Sequence, residues 1–315
     1  MNDYTIVFTC YNDEENITGF FENLKEQTIL PKQIIMVDGG SIDSTVDIAK
    51  SIAKDSVTDI SIVAENKRLN ISEGLNLAIK KSTTEYIGIA GIGNKYEKDH
   101  FETLLNAIRN LDVEITYSPI WGAGKTKFNS LYNKILLNGD KGTKQSIPSN
   151  HSALINKNVF SKIGYFYENF VYAGEDTEFY LRAQKNGIRS QVVENAKMVW
   201  YTPETETEYF KQIKNYTIAD MQLKKNKTLM FQYKKSIIFL LFLLLILISM
   251  FFKNLFFLSI TLFVLAWVFL YIKYTKKWGK GSFRVCFMRD FGPLFVIITN
   301  IKYLFKKNKI KLDLF

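Results

Sequence analysis

Two short stretches near the N-terminus decide the fold, and each is an apolar run that ends in polar residues. Residues 4–15 read Tyr-Thr-Ile-Val-Phe-Thr-Cys-Tyr-Asn-Asp-Glu-Glu, and residues 34–45 read Ile-Ile-Met-Val-Asp-Gly-Gly-Ser-Ile-Asp-Ser-Thr. Apolar runs this short, rich in β-branched residues, are typical of buried strands. Between them, apolar residues recur at helical spacing over 15–27, and Pro31 follows. The order strand, helix, strand predicts a βαβ unit and a mostly parallel sheet.

The same alternation continues to about residue 90. Further strands are predicted over 60–64 and 86–90, with helices between the strands. Ligands of such α/β sheets bind beyond the carboxyl ends of the strands. The polar clusters at 11–15 and 38–45 both follow strands, so we expect them to line one binding site.

The C-terminal third of the chain differs in charge from the rest. Residues 224–315 hold seventeen lysines and arginines against two acids, Asp290 and Asp313, although the whole chain has a formal net charge of only +10. The first 223 residues are therefore mildly acidic. This segregation is not the pattern of a nucleic-acid-binding protein. Basic residues that flank apolar runs suit the anionic cytoplasmic face of a membrane.

Two apolar runs, 236–252 and 255–272, are separated only by Lys253-Asn254. Each run just reaches the lower limit of about 17 residues for a membrane span. One helix across both would be too long for a bilayer, so we predict a helical hairpin with lysines at both ends facing the cytosol. A shallow re-entrant hairpin and a buried helix pair of a soluble protein are the alternatives. Residues 283–305 are predicted to form an interfacial helix, broken at Gly292-Pro293.

These patterns divide the chain into four parts. They are a cytosolic α/β domain over 1–222, a basic linker over 223–235, a transmembrane or re-entrant hairpin over 236–273, and a basic, amphipathic interfacial tail over 274–315. The N-terminus has no charged segment followed by an apolar stretch, so no signal peptide is predicted. Cys10 and Cys286 lie far apart and form no metal-ligand spacing, which fits a reducing compartment.

Several motifs, taken in order, resemble those of family 2 glycosyltransferases, which have the Rossmann-like GT-A fold. The resemblance covers about residues 4–220. Its last segment, with Gln212 and Tyr216, is similar to the subgroup that builds succinoglycan-type exopolysaccharides. The segments that carry the resemblance are 9–17, 37–45, 162–166, 174–178, 181–187 and 199–203.

The resemblance implies that the first half of the domain binds a nucleoside diphosphate sugar. The carboxylate at Asp38 would recognise the nucleotide, usually a uridine. The alternative for Asp38 and for Asp43 is turn formation and helix capping, at which Asp is effective. The residues assigned to nucleotide binding are Thr9, Tyr11, Asn12, Asp38, Gly40 and Ser41.

The resemblance also implies that Asp176 is the catalytic base. It would deprotonate the acceptor hydroxyl, which attacks the anomeric carbon in line, inverts its configuration and expels the nucleoside diphosphate. Glu175 would assist on the acceptor side. Acids at this position also complement the dipole of a helix N-terminus, and both roles can hold together. Arg182, on the same predicted helix, is interpreted as an ion-paired or solvated residue.

One departure from the family concerns the metal. Members carry an Asp-x-Asp or Asp-Ala-Gly sequence after the strand at 86–90, and its acids hold Mg²⁺ or Mn²⁺ against the diphosphate. Here the aligned residues are Gly91-Ile92-Gly93, followed by Asn94. A divalent cation is therefore in doubt. Either the donor holds the cation near Asn94 and Asp38, or Lys95 replaces the charge of the cation, or catalysis has been lost and only a binding or assembly role is kept.

The expected function is that of an inverting hexosyltransferase at the cytoplasmic face of the cell membrane. Its partners would be a nucleotide-sugar donor, a lipid-linked saccharide acceptor and membrane lipids, in exopolysaccharide, capsule or O-antigen synthesis. A non-catalytic membrane scaffold with the same fold and a polyprenyl-phosphate sugar synthase are the alternatives. Sugar specificity is assigned to loops such as 119–145. His100 and His151 are given no catalytic role.

Overall fold

A computed structural model describes residues 3–65, 67–139, 143, 147–170, 172–223, 234–249, 251 and 253–300. They fall into two compact units. The sheet unit runs to Ala123 and resumes after residue 139, ending at Tyr201. The helical unit consists of Gly124–Gly139 and the described residues that follow Tyr201.

A seven-stranded sheet forms the centre of the sheet unit. Its strand order is β3-β2-β1-β4-β8-β6-β9. Neighbouring strands are parallel except where β8 runs against β4 and β6, so the predicted mostly parallel sheet is confirmed. The seven strands are β1 (Tyr4–Cys10), β2 (Gln33–Asp38), β3 (Asp59–Ala64), β4 (Tyr86–Ile89), β6 (Ile115–Tyr117), β8 (Ala153–Asn156) and β9 (Ser190–Val192).

A smaller sheet with the order β5-β10-β7 completes the strands of this unit. Its strands are β5 (Asn94–Tyr96), β7 (Trp121–Ala123) and β10 (Met198–Tyr201). Four residues separate the end of β4 from the start of β5, so the two sheets meet where the metal-binding sequence was expected.

Helices cover the larger sheet because its central strands, such as β1 and β2, are buried along almost their full length, as parallel strands usually are. The core between them includes Val7, Ile35, Leu75 and Phe179, all of which are buried. The helices of this unit are α1 (Ile17–Lys25), α2 (Thr45–Lys54), α3 (Ile71–Lys81), α4 (His100–Asn110), α6 (Asn158–Ile163) and α7 (Glu175–Lys185).

The helical unit contains the apolar runs. Its helices are α5 (Lys127–Leu136), α8 (Glu206–Gln222), α9 (Lys234–Ser249), α10 (Lys253–Trp278) and α11 (Ser282–Thr299). Within α10, the 23-residue segment Phe256–Trp278 contains an 18-residue window with a mean hydropathy of 2.1, and the segment is long and apolar enough to cross a membrane. Length and composition alone make this case, and α9 contributes only a shorter apolar segment, Leu240–Ser249.

The two apolar helices pack antiparallel. The hydroxyl oxygens of Ser249 and Ser259 lie 2.8 Å apart, and the rings of Phe242 and Phe263 stack at 5.9 Å. In these contacting pairs the residue number falls on α9 as it rises on α10, which is the geometry of a helical hairpin. Whether it spans the bilayer or re-enters stays a prediction.

Two expectations about local structure are wrong. The stretch 119–145 is not all loop, because β7 and α5 lie within it. α11 is also continuous through Pro293 rather than broken there. Gly292 lies so close to α8 that an added Cβ would approach Ile213 side-chain atoms to 3.3 Å, so packing against α8 stabilises α11 where proline removes a hydrogen bond.

The predicted domain boundaries at 222, 235 and 273 stay predictions. Most of the predicted linker and residues 301–315 of the tail lie outside the described residues. α5 and α8 belong to the compact unit that also holds the apolar helices.

Candidate active site

A cavity of about 600 Å³ lies at the carboxyl ends of β1 and β2. The start of α3 and the segment before α7 complete its wall. The parallel strands bring these segments together, since their carboxyl ends share one edge of the sheet. The lining residues include Thr9, Cys10, Tyr11, Asp13, Gly39, Arg68, Ser72, Gly74, Phe170, Tyr172 and Glu175.

The two polar loops of the sequence motif are bound to each other. The backbone N–H of Asn12 donates to Ser41 Oγ at 2.9 Å, and the Ile42 N–H donates to Asn12 Oδ1 at 3.0 Å. Asp13 N–H donates to Thr45 Oγ1 at 2.8 Å. Asn12 has φ of 52°, a left-handed conformation that Asn tolerates better than most residues. The predicted proximity of the two loops is therefore present.

Asp38 lies beneath these loops and is only 2% exposed. Its carboxylate accepts hydrogen bonds from the N–H groups of Gly40 and Ser41, each at 2.9 Å, and from Ser41 Oγ at 2.5 Å. The carboxylate thus shapes the turn. Its predicted contact with a nucleotide stays a prediction. Asp43 performs the capping role considered for it, because Thr45 N–H and Oγ1 both donate to its Oδ1.

Arg68 and Tyr11 form one wall of the cavity. The Arg68 guanidinium carbon lies 3.2 Å from the centroid of the Tyr11 ring, and Nη1 donates to the carbonyl oxygen of Gly39 at 2.6 Å. Nearby, burial raises the pKa of the Asp13 carboxyl. A fixed cation and an exposed aromatic ring suit a planar base with acceptor oxygens.

The predicted catalytic acids lie at the first turn of α7. Glu175 lines the cavity, is 6% exposed, and accepts a long hydrogen bond of 3.4 Å from Asn150 Nδ2. Burial and the neighbouring Asp176 raise the pKa of the Glu175 carboxyl to about 8. Asp176 is half-buried and accepts from the Thr177 N–H at 2.6 Å. The two acids therefore differ in environment although they are adjacent in sequence.

Asn94 is held by its surroundings. Its Nδ2 donates to the carbonyl oxygen of His151 at 3.1 Å, and its Oδ1 lies 3.2 Å from His151 Nδ1. Tyr96 OH donates to the same carbonyl at 2.8 Å. Lys95, between them on β5, is exposed while both neighbours are buried, so it faces the other side of the strand. Contacts of Asn94 and Lys95 with a diphosphate stay predictions.

The protein's own residues do not fit a conventional metal site here. No carboxylate stands at 91–94, and within the described residues no group of three His, Cys, Asp or Glu side chains is arranged to hold a metal ion. The amide oxygen of Asn94 already faces His151.

Two other polar side chains have structural roles. Arg182 pairs with Glu178 at 2.8 Å, as interpreted from the sequence. His100 is buried and structural, with Nδ1 2.9 Å from the Lys197 carbonyl oxygen, and burial lowers its pKa to about 4.

Sequence reasoning missed several cavity residues. Arg68 and Ser72 follow β3 on the chain, and the same rule that placed residues 11–15 at the sheet edge would have placed them there. Phe170 and Tyr172 precede α7 and carry no motif of their own. His151 was noticed, but its contact with Asn94 joins residues 57 positions apart.

Comparison with known proteins agrees with this architecture. The family model Glycosyl transferase family 2 matches residues 5–164, and the model Glycosyl transferase family group 2 matches residues 118–278. The chain belongs to glycosyl transferase family 2. The predicted family and enzyme class are thereby confirmed.

Two curated relatives share about a quarter of their residues with this chain over the aligned regions. The succinoglycan biosynthesis protein ExoA of Rhizobium meliloti is 24% identical over 208 residues, which cover 62% of each chain. A dolichyl N-acetyl-α-D-glucosaminyl phosphate 3-β-D-2,3-diacetamido-2,3-dideoxy-β-D-glucuronosyltransferase of Methanococcus voltae is 25% identical, over 70% of this chain and 73% of the relative. The match thus spans less than two thirds of the succinoglycan protein.

Solved structures share the GT-A fold. The mannosyltransferase PcManGT from Pyrobaculum calidifontis, determined with GDP-Man and Mn²⁺, has a TM-score of 0.52 at 20% identity over 70% of this chain and 62% of its own. TarS residues 1–349 of S. aureus, determined with UDP-GlcNAc, have a TM-score of 0.52 at 16% identity over 69% of this chain and 66% of theirs. The predicted fold class is confirmed.

Proposed function

We propose that this chain is a membrane-associated, inverting glycosyltransferase that moves a hexose from a nucleotide donor to a lipid-linked glycan. The observation that carries the proposal is the cavity of about 600 Å³ whose wall joins the loop after β1 to Glu175 of α7. A donor in this cavity would lie between the predicted nucleotide-binding residues and the predicted acids.

The donor is proposed to be a nucleoside diphosphate sugar, with UDP as its first candidate nucleotide. Tyr11 and Arg68 offer a ring face and a guanidinium to the base. Gly39 and Gly40 keep the turn after β2 small. An added Cβ on Gly39 would come within 3.1 Å of the Cys10 carbonyl oxygen, and Gly40 has φ of +89°.

The proposed chemistry is one displacement. Asp176 takes the proton of the acceptor hydroxyl as its oxygen attacks the anomeric carbon, and the bonding electrons of the departing C–O bond pass to the diphosphate. Asp176 fits the base because it is only half-buried, whereas the raised pKa of Glu175 leaves that carboxyl protonated near neutral pH. Glu175 then contributes a hydrogen bond to the acceptor side.

The acceptor is proposed to be lipid-linked, and the enzyme to act at the cytoplasmic face of the cell membrane. The names of the two curated relatives, one in succinoglycan biosynthesis and one a dolichyl-phosphate glycosyltransferase, support such an acceptor. The apolar helix α10, followed by Lys276, Lys277 and Lys280, supports the location. Exopolysaccharide, capsule or O-antigen synthesis is the proposed context.

One observation favours a second candidate, a membrane scaffold that binds without turnover. Gly91 and Gly93 stand where the family's metal-binding acids are expected, so the leaving group lacks its usual partner. The intact pair Glu175-Asp176 favours the enzyme.

The test is nucleotide binding followed by turnover. We expect UDP, among UDP, GDP, dTDP and CMP, to raise the unfolding midpoint of the detergent-purified chain. A ligand at about 100 times its Kd stabilises a two-state fold by about 2.7 kcal/mol. Hydrolysis or transfer of the bound donor would then support the enzyme, and binding without either would support the scaffold. A folded chain that none of the four nucleotides stabilises would refute the proposal. A monosaccharide-lipid product would indicate a polyprenyl-phosphate sugar synthase instead.

A further inference from the structure

Asn94, the residue that follows the expected metal-binding sequence, holds a histidine in place. Asn94 bonds both the main chain and the ring of His151, and Tyr96 OH, which also accepts from the Gly91 N–H at 3.0 Å, bonds the same main-chain carbonyl. Three residues of the segment 91–96 therefore fix one residue that is far away in sequence. An ordinary surface histidine does not receive such support.

The hydrogen bonds determine the state of the ring. Asn94 Nδ2 must face the His151 carbonyl oxygen, because the reversed amide would place two oxygens together. Asn94 Oδ1 then accepts from Nδ1, so Nδ1 carries a hydrogen. Among the described residues, Nε2 of His151 has no hydrogen-bond partner, and it is the ring nitrogen left for a ligand.

The segment that holds His151 also contacts the first turn of α7. The electrostatic influence of Asp176 reaches its ring. The adjacent Asn150 contacts Glu175 Oε1 at 3.4 Å and accepts from Tyr180 OH at 3.2 Å. The ring of Trp200 packs against His151 with centroids 4.8 Å apart. Residues 150–151 thus connect β5 to the start of α7.

We propose that His151 replaces the metal ion: its imidazolium, held by Asn94 and balanced by Asp176, donates a hydrogen bond from Nε2 to the leaving diphosphate. This inference rests on the proposed function. As the C–O bond at the anomeric carbon breaks, its electron pair goes to the diphosphate oxygen, and the hydrogen bond from Nε2 stabilises that charge. The acceptor proton goes to Asp176, so His151 gains and loses none in the step.

We expect the ring of His151 to become protonated when the donor binds. Burial lowers the pKa of His151 and Asp176 raises it, and the lowering is larger, so the free ring is neutral near pH 7. A bound diphosphate adds negative charge beside the ring, which favours protonation. Among the described residues, Glu175 on α7, which Asn150 contacts, and Lys95, which faces the opposite side of β5, are further charged groups near this segment. Binding should therefore take up a proton.

The first test is UDP affinity measured by calorimetry in EDTA and in Mn²⁺, across about pH 5.5 to 8.5. We expect equal affinity with and without Mn²⁺ and a rise of up to about tenfold per unit as pH falls, since one proton is taken up. His151→Gln should weaken binding and flatten this dependence, whereas Lys95→Gln should retain it. Tighter binding in Mn²⁺, or loss of the dependence only in Lys95→Gln, would overturn the proposal.

The second test restores the acids. Gly93→Asp has open space for its Cβ, and the Cβ of Gly91→Asp would meet only the side-chain Nδ2 of Asn94 at 3.1 Å. Added to His151→Gln, this pair should recover UDP binding with Mn²⁺ and not with EDTA. If this triple variant bound UDP equally well in EDTA, the result would contradict the proposal that His151 takes the place of a metal ion. If the unmodified chain binds no nucleotide, the proposed function is wrong. If the unmodified chain binds UDP and His151→Gln binds it equally well, only the inference about His151 is wrong.

Discussion

Glu175→Gln should stabilise the protein at alkaline pH and leave it unchanged at acidic pH. Glu175 is nearly fully buried, its side chain accepts only a long hydrogen bond from Asn150 among the described side chains, and Asp176 lies beside it in sequence. These surroundings disfavour its charge. Glutamine has almost the same shape and carries no charge, so the substitution mimics the protonated acid at every pH.

The sign follows from the protons bound in each state. The pKa of Glu175 is raised from 4.5 to about 8 in the folded protein. Between these values the folded chain holds a proton that the unfolded chain has released, so the unfolding free energy falls as pH rises, by up to about 1.4 kcal/mol per unit. From about pH 6 to 8 the loss in unfolding free energy is at most about 3 kcal/mol, or about 6–12 °C in Tm for a domain of about 150–250 residues.

The assay is a thermal unfolding series of both proteins from about pH 5 to 9. The two midpoints should agree near pH 5 and separate as the pH rises, with Glu175→Gln the more stable. Glu15→Gln removes an exposed acid and serves as the control for loss of one charge. Parallel curves for Glu175→Gln and the unmodified chain would refute the reasoning, because they would mean that the buried carboxyl pays no ionisation cost.

Three further predictions concern the cavity. Asp176→Asn should reduce transfer by about 10²–10⁴-fold, the usual contribution of a positioned base, while the Kd for UDP changes little; an equal loss in Kd would point to binding instead. Gly74→Ala should lower Tm, because the added Cβ would lie 2.5 Å from Thr9 Cγ2. Such overpacking destabilises a fold by about 1–3 kcal/mol, which exceeds the gain of about 1 kcal/mol that alanine brings to a helix. Thr9→Ser removes that methyl and should rescue the Tm of Gly74→Ala, whereas additive losses would contradict the contact. Arg68→Ala should weaken UDP binding by about tenfold or more in calorimetry with little change in Tm, since the side chain is exposed and its loss removes a stacked cation; unchanged affinity would exclude Arg68 from the base site.

The sequence predicted the first half of the sheet well because the signal there is local. β1 and β2 are buried along almost their full length, so each is a nearly continuous apolar run bounded by polar residues. β6 and β7, by contrast, have three residues each, too few to show any period. α5 was missed for a related reason, because only Asn129 and Tyr132 of its residues are buried and no apolar face stands out.

Pro293 shows a different limit. A proline after glycine predicts a helix break from local chemistry alone. In the structure, Phe295 of α11 meets Phe210 of α8 with ring centroids 5.9 Å apart, and Gly292 permits the close approach. This tertiary packing outweighs the local preference of proline for a helix break, and the sequence near Pro293 carries no signal that predicts the packing.

The predicted site residues divide by what holds them. Thr9 and Tyr11 line the cavity because they are at or just beyond the end of a strand, and strand ends can be found from sequence. Arg68 depends on a cross-loop contact with Tyr11, and His151 on the amide of Asn94. Such contacts join residues with no shared pattern, so only the folded chain reveals them.

The motif residues at 38–45 mainly arrange the backbone of the turn at the edge of the cavity. Both carboxylate oxygens of Asp38 accept hydrogen bonds from the N–H groups and hydroxyl of the following turn. Asn12 joins that turn to the loop after β1. A donor entering the cavity would meet loops that are already ordered, which lowers the entropic cost of binding. Asp38 and Asn12, which the motifs single out, therefore prepare the site, and the proposed contacts with the donor fall on Tyr11, Arg68 and His151.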